Sequence, residues 1–411
     1  MLYLPLDSIP QKEYYFGVYS DIMQYKRLLK MNLPKKQSAF LWGARKTGKS
    51  TFLKENFSNS AYFDLLRSDL YIGYSKEPYL FREEVLNLPK EKLSKHIIID
   101  EVQKIPLLLD EVHYLIENED LQFILCGSSA RKLRRGGANL LGGRAWGYNF
   151  YPLTYKEIPD FDILKAFNHG LIPSHYLSSN PRKSIKSYVN EYLKEEIQAE
   201  GLVRNLPSFA RFLDSLSYSI GELTNFSNIA RDCGVDSKTV KEYYQILVDT
   251  MLGTFIYPYK KKSTRQTIIS SPKFYLFDVG VANHLKGINL SSLKGGEAGK
   301  SLENLILMEL LAYRGISDKD FHIEFWRTNK GLEVDFILKK GKYAIEVKLT
   351  NQVSKIDIKG VIAFKEENPD CICYVVSQDP RSRKMTVENV GDISILPYKE
   401  FLDRLWNHKI I

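Results

Sequence analysis

The sequence predicts an α/β chain in several units: a parallel sheet bearing a phosphate-binding loop, then a helix–turn–helix with a β-wing, then a smaller α/β unit. Three observations carry this. Up to about residue 153, short β-rich runs ("SAFLWGA", "SAYFDLL", "HIIIDEV", "LQFILCGSS", "GYNFYPLT") alternate with helical stretches, the order of a parallel sheet with crossover helices. The stretch "GARKTGKS" sets Gly43 and Gly48 around four residues and follows with Lys49 and Ser50. Near the C-terminus, "GLEVDFILKKGKYAIEVKLT" reads as two strands joined by a turn, with acids at alternate positions and so on one face.

The chain has 411 residues, 44% of them apolar, enough for true cores and too apolar for disorder. Its 58 Lys and Arg against 49 Asp and Glu give a formal charge of +9, a balance that favours anionic partners and says nothing of fold. No apolar run approaches a membrane span. The opening "MLYLPLDSIPQKEYY" is too short and too broken by proline for a signal peptide. Cys126, Cys233, Cys371 and Cys373 lack zinc-site spacing. In "CICYVV" two of them share a strand face and are expected to be buried thiols, as suits a reducing cytoplasm. Four regions separate by pattern: 1–153 as the sheet with its loop, 154–220 as a helical bridge or lid, 221–290 as the helix–turn–helix with its wing, and 291–411 as the second α/β unit.

The first region reads as a nucleotide site. "SAFLW" is a strand just before the loop and "STFLKENF" a helix just after. From Gly43 through Ala44, Arg45, Lys46, Thr47, Gly48, Lys49 and Ser50 to Thr51, backbone N–H groups would face phosphate oxygens that side chains would otherwise block. The helix adds its positive N-terminal end. Lys49 would reach the β- and γ-phosphates of ATP, and Ser50 would bind Mg²⁺. The strand "HIIID" is apolar on both faces, as a central parallel strand should be. It ends in Asp100, for Mg²⁺, and Glu101, to orient the attacking water. The next strand ends in Ser128 and Ser129, candidate sensors of the γ-phosphate. Arg144, between glycines and the last strand, is a candidate arginine finger for a neighbouring subunit, with Arg131, Arg134 and Arg135 as rivals.

In order, "GARKTGKST", "IIIDEVQKIP", "CGSSARKL", "GGRAWGYNFYPLT" and "YVNEYLKEEI" resemble a family of bacterial and archaeal AAA-type ATPases with a C-terminal domain of unknown function. The resemblance spans nearly the whole chain. It implies an AAA-type P-loop core, ATP and Mg²⁺ at Gly43, Gly48, Lys49, Ser50, Asp100 and Glu101, and self-association through an arginine in trans.

In the second region, "NFSNIARDCGVDSKTVKEYYQILVDTMLGTFIYPY" holds a short helix, a turn at Gly234, and a second helix capped by Asp236. The runs "GTFIYPY" and "KFYLFD" would form the wing of a winged helix. Ser237, Lys238 and Lys241, with the loop residues Lys260, Lys261, Lys262 and Arg265, are candidate phosphate contacts to DNA or RNA. A protein-binding role would use the same fold.

In the third region, a turn centred on Lys340 and Gly341 sets Asp335 opposite Glu346 and Glu333 opposite Lys348. Like charges directly opposite are destabilising unless a cation lies between them. The order Glu303, Asp335, Glu346, Lys348 resembles PD-(D/E)xK nucleases, without the proline before the Asp. That resemblance implies a restriction-endonuclease-like fold, with Glu303, Asp335 and Glu346 holding Mg²⁺ or Mn²⁺ and Lys348 positioning water. Gln352 stands where some members carry a glutamine at a helix start. Two functions follow as expectations: an ATP-dependent enzyme acting on nucleic acid, or an ATP-driven signalling or defence switch whose C-terminal domain binds without cutting. A transcription factor would leave the first and third sites unexplained.

Overall fold

The computed structural model describes residues 25–129, 131, 133, 141–193, 206–260 and 270–411. The first sheet is β1 (Ser38–Trp42), β2 (Tyr62–Asp64), β3 (Ile97–Asp100), β4 (Phe123–Gly127) and β5 (Ala145–Asn149), in spatial order β2-β3-β4-β1-β5. Every neighbouring pair is parallel. β3 and β4 are buried along their whole length, because helices cover both faces. Phe40, Ile97, Ile99, Phe123 and Leu125 point to one core. Leu41, Ile98, Ile124 and Cys126 point to the other, against Phe52 and Leu53 of α1 (Lys49–Asn56). This two-residue alternation between two apolar faces is why these runs are apolar throughout. β5 is one of the two edge strands, and it begins earlier than "GYNFYPLT" suggests. The chain leaves the sheet at Phe150, whose ring packs on Phe52. The helix α2 (Leu108–Glu119) precedes β4 and buries Leu108, Leu109, Val112 and Leu115.

Beyond β5, α3 (Ile163–His169) is capped by Asp162, whose Oδ1 accepts from Leu164 N and Lys165 N. The short α4 (Pro173–Tyr176) follows. Farther along the chain lie α5 (Leu206–Ser219), α6 (Phe226–Cys233) and α7 (Ser237–Asp249). Asp236 caps α7 as expected, accepting from Thr239 N at 2.8 Å. Gly234 ends α6 in the left-handed region at φ 67°, the conformation glycine adopts most readily. Of the apolar stripe Val240, Tyr244, Leu247 and Val248 that the spacing predicts for this helix, the first three are buried, Val248 is half-buried, and Tyr243 and Ile246 are buried beside them.

The second sheet departs most from expectation. It contains β6 (Gly253–Pro258), β7 (Lys273–Leu276), β8 (Ile323–Arg327), β9 (Glu333–Leu338), β10 (Tyr343–Lys348), β11 (Ile372–Ser377), β12 (Arg383–Val387) and β13 (Gly391–Pro397). Their order is β12-β13-β11-β10-β9-β8-β6-β7. The β6–β7 hairpin is antiparallel, but it is not a free wing: Tyr257 and Pro258 of β6 pair with Glu324 and Phe325 of β8. The last region, from about residue 299, is predicted by the sequence pattern as helix, strand, strand, helix, strand; in the structure it also contains β8, β12, β13 and a final helix. Its helices are α9 (Gly296–Ile316), α10 (Lys359–Glu367) and α11 (Tyr398–Trp406), while α8 (Val279–Leu285) follows the hairpin. One core runs from Phe161 and Phe167 of the bridge through Tyr275 to Leu305, Phe336 and Trp406, so bridge, hairpin and C-terminal unit pack as one body.

Candidate functional site

The loop after β1 has the shape its glycines predict. Gly48 is at φ 98°, where a side chain would be strained. A Cβ on Gly43 would lie 2.4 Å from the Phe150 carbonyl oxygen. Lys49 is buried and its Nζ donates to Gly43 O (2.8 Å) and Ala44 O (3.0 Å), folded back over the loop. Thr47 Oγ1 donates to Ala44 O, while Lys46 and Thr51 are exposed. Ser50 Oγ donates to Asp100 Oδ2 at 2.6 Å, and Tyr62 OH donates to the same oxygen. The hydroxyl and carboxylate assigned to Mg²⁺ therefore already converge.

Glu101 follows β3 directly and lies in the left-handed region, φ 58°. Arg45 stands 3.9 Å from its carboxylate. Gln103 is a residue the sequence reading did not single out. Its Nε2 donates to Glu101 Oε2 at 2.6 Å and to Ser128 Oγ at 3.0 Å. It has room because residue 127 is glycine: a Cβ there would sit 2.2 Å from Gln103 Oε1. Ser128 thus faces the site, whereas Ser129 Oγ accepts from Arg131 N in its own turn. Burial raises the Glu101 pKa, against the lowering pull of Arg45 and Lys49.

The arginines separate. Arg144 lies before β5, at the end of the sheet away from its own loop, and pairs with Glu117 of α2. Arg131 pairs with Asp249 at the end of α7, 3.0 Å away. Arg134 and Arg135 lie outside the described residues, as do Lys261, Lys262 and Arg265. Lys238, Lys241 and Lys260 are exposed and Ser237 is half-buried. Lys241 stands over the Phe226 ring, and α7 also carries Glu242 and Asp249, so its charge is balanced rather than basic.

A second unforeseen residue ties the loop to the rest of the chain. Arg27 donates from Nη1 to Thr47 O (2.8 Å), from Nη2 to Tyr151 O (2.7 Å), and from Nε to Glu157 Oε1 (3.0 Å). Glu157 Oε2 accepts from Thr154 N. The adjacent Tyr155 N donates at 2.7 Å to Glu309 in the middle of α9, and Trp406 Nε1 of α11 donates to the other Glu309 oxygen, also at 2.7 Å. Burial pushes the Glu309 pKa up to about 7. An acid raised in this way stabilises the fold fully below its unfolded value near 4.3, and that contribution is lost as pH rises through about 7. The expected loss is on the order of 3 kcal/mol. The thermal midpoint of the wild type should therefore fall more between about pH 5 and pH 8 than that of Glu309→Gln; equal slopes would refute this role.

In the C-terminal unit the hairpin register is the expected one. Tyr343 pairs with Leu338 and Ile345 with Phe336, which sets Asp335 opposite Glu346. Here side chains replace ladder bonds: Val347 N donates to Asp335 Oδ2 at 2.8 Å and Asp335 N to Glu346 Oε2 at 3.3 Å. Burial, then each other's charge and that of Glu303, raises Asp335 strongly; burial first raises Glu346, to about 7, against the pull of Lys348. Lys348 pairs with Glu346, not with Glu333. Glu333 instead pairs with Arg327 at 2.7 Å and with Lys273 of β7. Gln352 lies exposed in a turn, and the next helix begins only at Lys359. Among the described residues no group of three or more His, Cys, Asp and Glu is spaced to hold a metal ion. As expected, Cys371 and Cys373 are buried free thiols.

Residues 35–159, which hold this parallel sheet, its loop and the acid pair, match the AAA domain family model. Residues 161–292 match a domain of unknown function (DUF8612), and residues 298–399 match another (DUF4143). An "Uncharacterized protein" of Haemophilus influenzae is 22% identical over 347 residues, which cover 76% of this chain and 82% of that protein. Among solved structures, a Signal Transduction ATPase with Numerous Domains (STAND) protein with a tetratricopeptide repeat sensor, from Pyrococcus horikoshii, is 11% identical with a TM-score of 0.19. That match covers 68% of this chain and 44% of the other, too slight a likeness to bear on this one. No helix among the described residues is long and apolar enough to cross a membrane.

Proposed function

We propose that the chain is a Mg²⁺-dependent ATPase that works as a switch, using ATP turnover to reposition its helical and C-terminal units. Lys49 holds the β- and γ-phosphates, giving up its two loop carbonyls to do so. Ser50 and Asp100 would hold Mg²⁺, which supplies charge neutralisation to the phosphate oxygens. Glu101 orients and deprotonates water, and Gln103 reports to it the state of Ser128. Arg144, on the far end of the sheet, is left to a neighbouring copy. The observation that supports a switch is the polar path from Thr47 O through Arg27, Glu157 and Tyr155 to Glu309 and Trp406. It joins the phosphate loop to the core of the last unit.

Hydrogen exchange tests this. Mg²⁺-ATP is expected to change protection in β6, β7 and α9 of the wild type and to leave Lys49→Ala unchanged. Changes confined to residues 35–159 would refute the switch. The second reading, an enzyme acting on nucleic acid, is favoured by the buried pair Asp335 and Glu346 with half-buried Glu303 and Lys348 acting on their charge. It requires ATP hydrolysis stimulated by DNA or RNA, and cleavage in Mn²⁺ that disappears in Asp335→Ala but survives in Lys49→Ala.

A further inference from the structure

One cation among the C-terminal acids comes from another unit. Lys273 opens β7, on the far side of the sheet order from β10, yet it is only 3% exposed. Its Nζ lies 3.5 Å from Glu303 Oε1, pairs with Glu333 Oε1, and stands over the Phe325 ring at 5.5 Å. Two residues on, and so on the same strand face, Tyr275 OH donates to Glu303. The hairpin thus delivers an ammonium and a hydroxyl together into the acids of α9 and β9. Burial alone would push Lys273 down, but Glu303, Glu333 and Asp335 outweigh it and hold the ammonium charged.

Charge explains why the hairpin reaches in. Arg327 balances Glu333 and Lys348 balances Glu346. That leaves Glu303, 3.5 Å from the Lys273 ammonium, and Asp335, which feels the same ammonium charge; both are acids of the nuclease-like pattern. A charged Glu303 inside this largely buried place would be destabilising without a cation, and Lys273 supplies that charge where a divalent ion would otherwise do so. We infer that Lys273 is the resident cation of this site, held by the β6–β7 hairpin in place of a divalent metal, and that metal enters only when the hairpin withdraws. This rests on the nuclease-like reading of the four acidic and basic residues. It also gives the switch an output, because the hairpin follows α7 directly and α7 is held at Asp249 by Arg131, just beyond Ser129.

The test is Mn²⁺ binding to the nucleotide-free full chain, read by electron paramagnetic resonance and by the Mn²⁺-induced thermal shift. Wild type and Asp335→Asn should bind equally, a comparison that needs no Lys273 variant. Lys273→Met should gain one Mn²⁺ per chain at least tenfold tighter than any wild-type binding there, with a thermal shift to match. Adding Asp335→Asn should remove the gain, and Lys273→Arg should behave as wild type. A wild-type Mn²⁺ site that Asp335→Asn abolishes would overturn the inference and leave the metal-site reading standing. A folded Lys273→Met with no added Mn²⁺ would overturn both. If Lys273→Met does not fold, Lys273→Gln takes its place under the same criteria.

Discussion

Glu101→Gln is expected to lower kcat for ATP hydrolysis by about 10²–10⁴-fold, the usual worth of a positioned general base, with ATP affinity nearly unchanged. The amide keeps the size and one acceptor of the carboxylate but cannot take a proton from water. On the proposed reading affinity should survive, because Lys49 and the loop N–H groups would meet the phosphates and Glu101 would not. Its surroundings sharpen the expectation. Glu101 is buried, which favours the neutral acid, while Arg45, Lys49 and the Gln103 amide favour the carboxylate. Gln103→Leu removes one of the stabilising donors, so Glu101 should stay protonated to higher pH. The acid limb of the kcat profile then moves up, with less loss at high pH than in Glu101→Gln. A Gln103 that mattered only for packing would lower stability without moving that limb. Wild-type turnover by Glu101→Gln, measured as phosphate release, would mean that another group activates the water.

The residues that sequence alone made legible are those whose geometry is local. Gly43 to Ser50 are contiguous, and a loop between a strand and a helix has few shapes. Asp335 and Glu346 sit on two strands joined by one turn, so centring that turn on Lys340 and Gly341 fixed their register. The missed residues depend on contacts between distant elements. Arg27 meets Glu157 across 130 residues, and nothing near either marks the pairing. Lys273 opens what reads as an ordinary wing strand; its role appears only once β6 joins β8. Gln103 lay inside a quoted motif, but its meaning needed β4 beside β3 and a glycine at 127 to admit it. Glu309 was hidden on an amphipathic helix, where a charge is normally solvated. β12 was missed because an edge strand, exposed at Lys384 and Thr386, has little apolar pattern.

The Arg27–Glu157 pair decides whether the path from loop to C-terminal core is structural as well as geometric. Arg27→Ala is expected to destabilise the chain by about 3–5 kcal/mol, the range for breaking a buried ion pair. The guanidinium is 9% exposed and the carboxylate fully buried. Arg27 also makes three main-chain bonds, to Thr47, Tyr151 and Pro152, and lies 4.1 Å over the Phe150 ring. Glu157 would keep its bonds from Leu28 N and Thr154 N, which places the loss toward the lower end. Arg27→Lys should recover little, because one ammonium cannot serve four acceptors that a planar fork reaches. The surface offers a control: Lys36 and Asp120 also form an ion pair, but both side chains are 68% exposed, and Lys36→Ala should leave the unfolding curve in place. Urea unfolding reads the difference as a midpoint shift of the first transition, the appropriate quantity for a chain of several units. If Arg27→Ala and Lys36→Ala unfold alike, the pair does not hold the loop to the bridge. A switch driven through it would then have no mechanical basis.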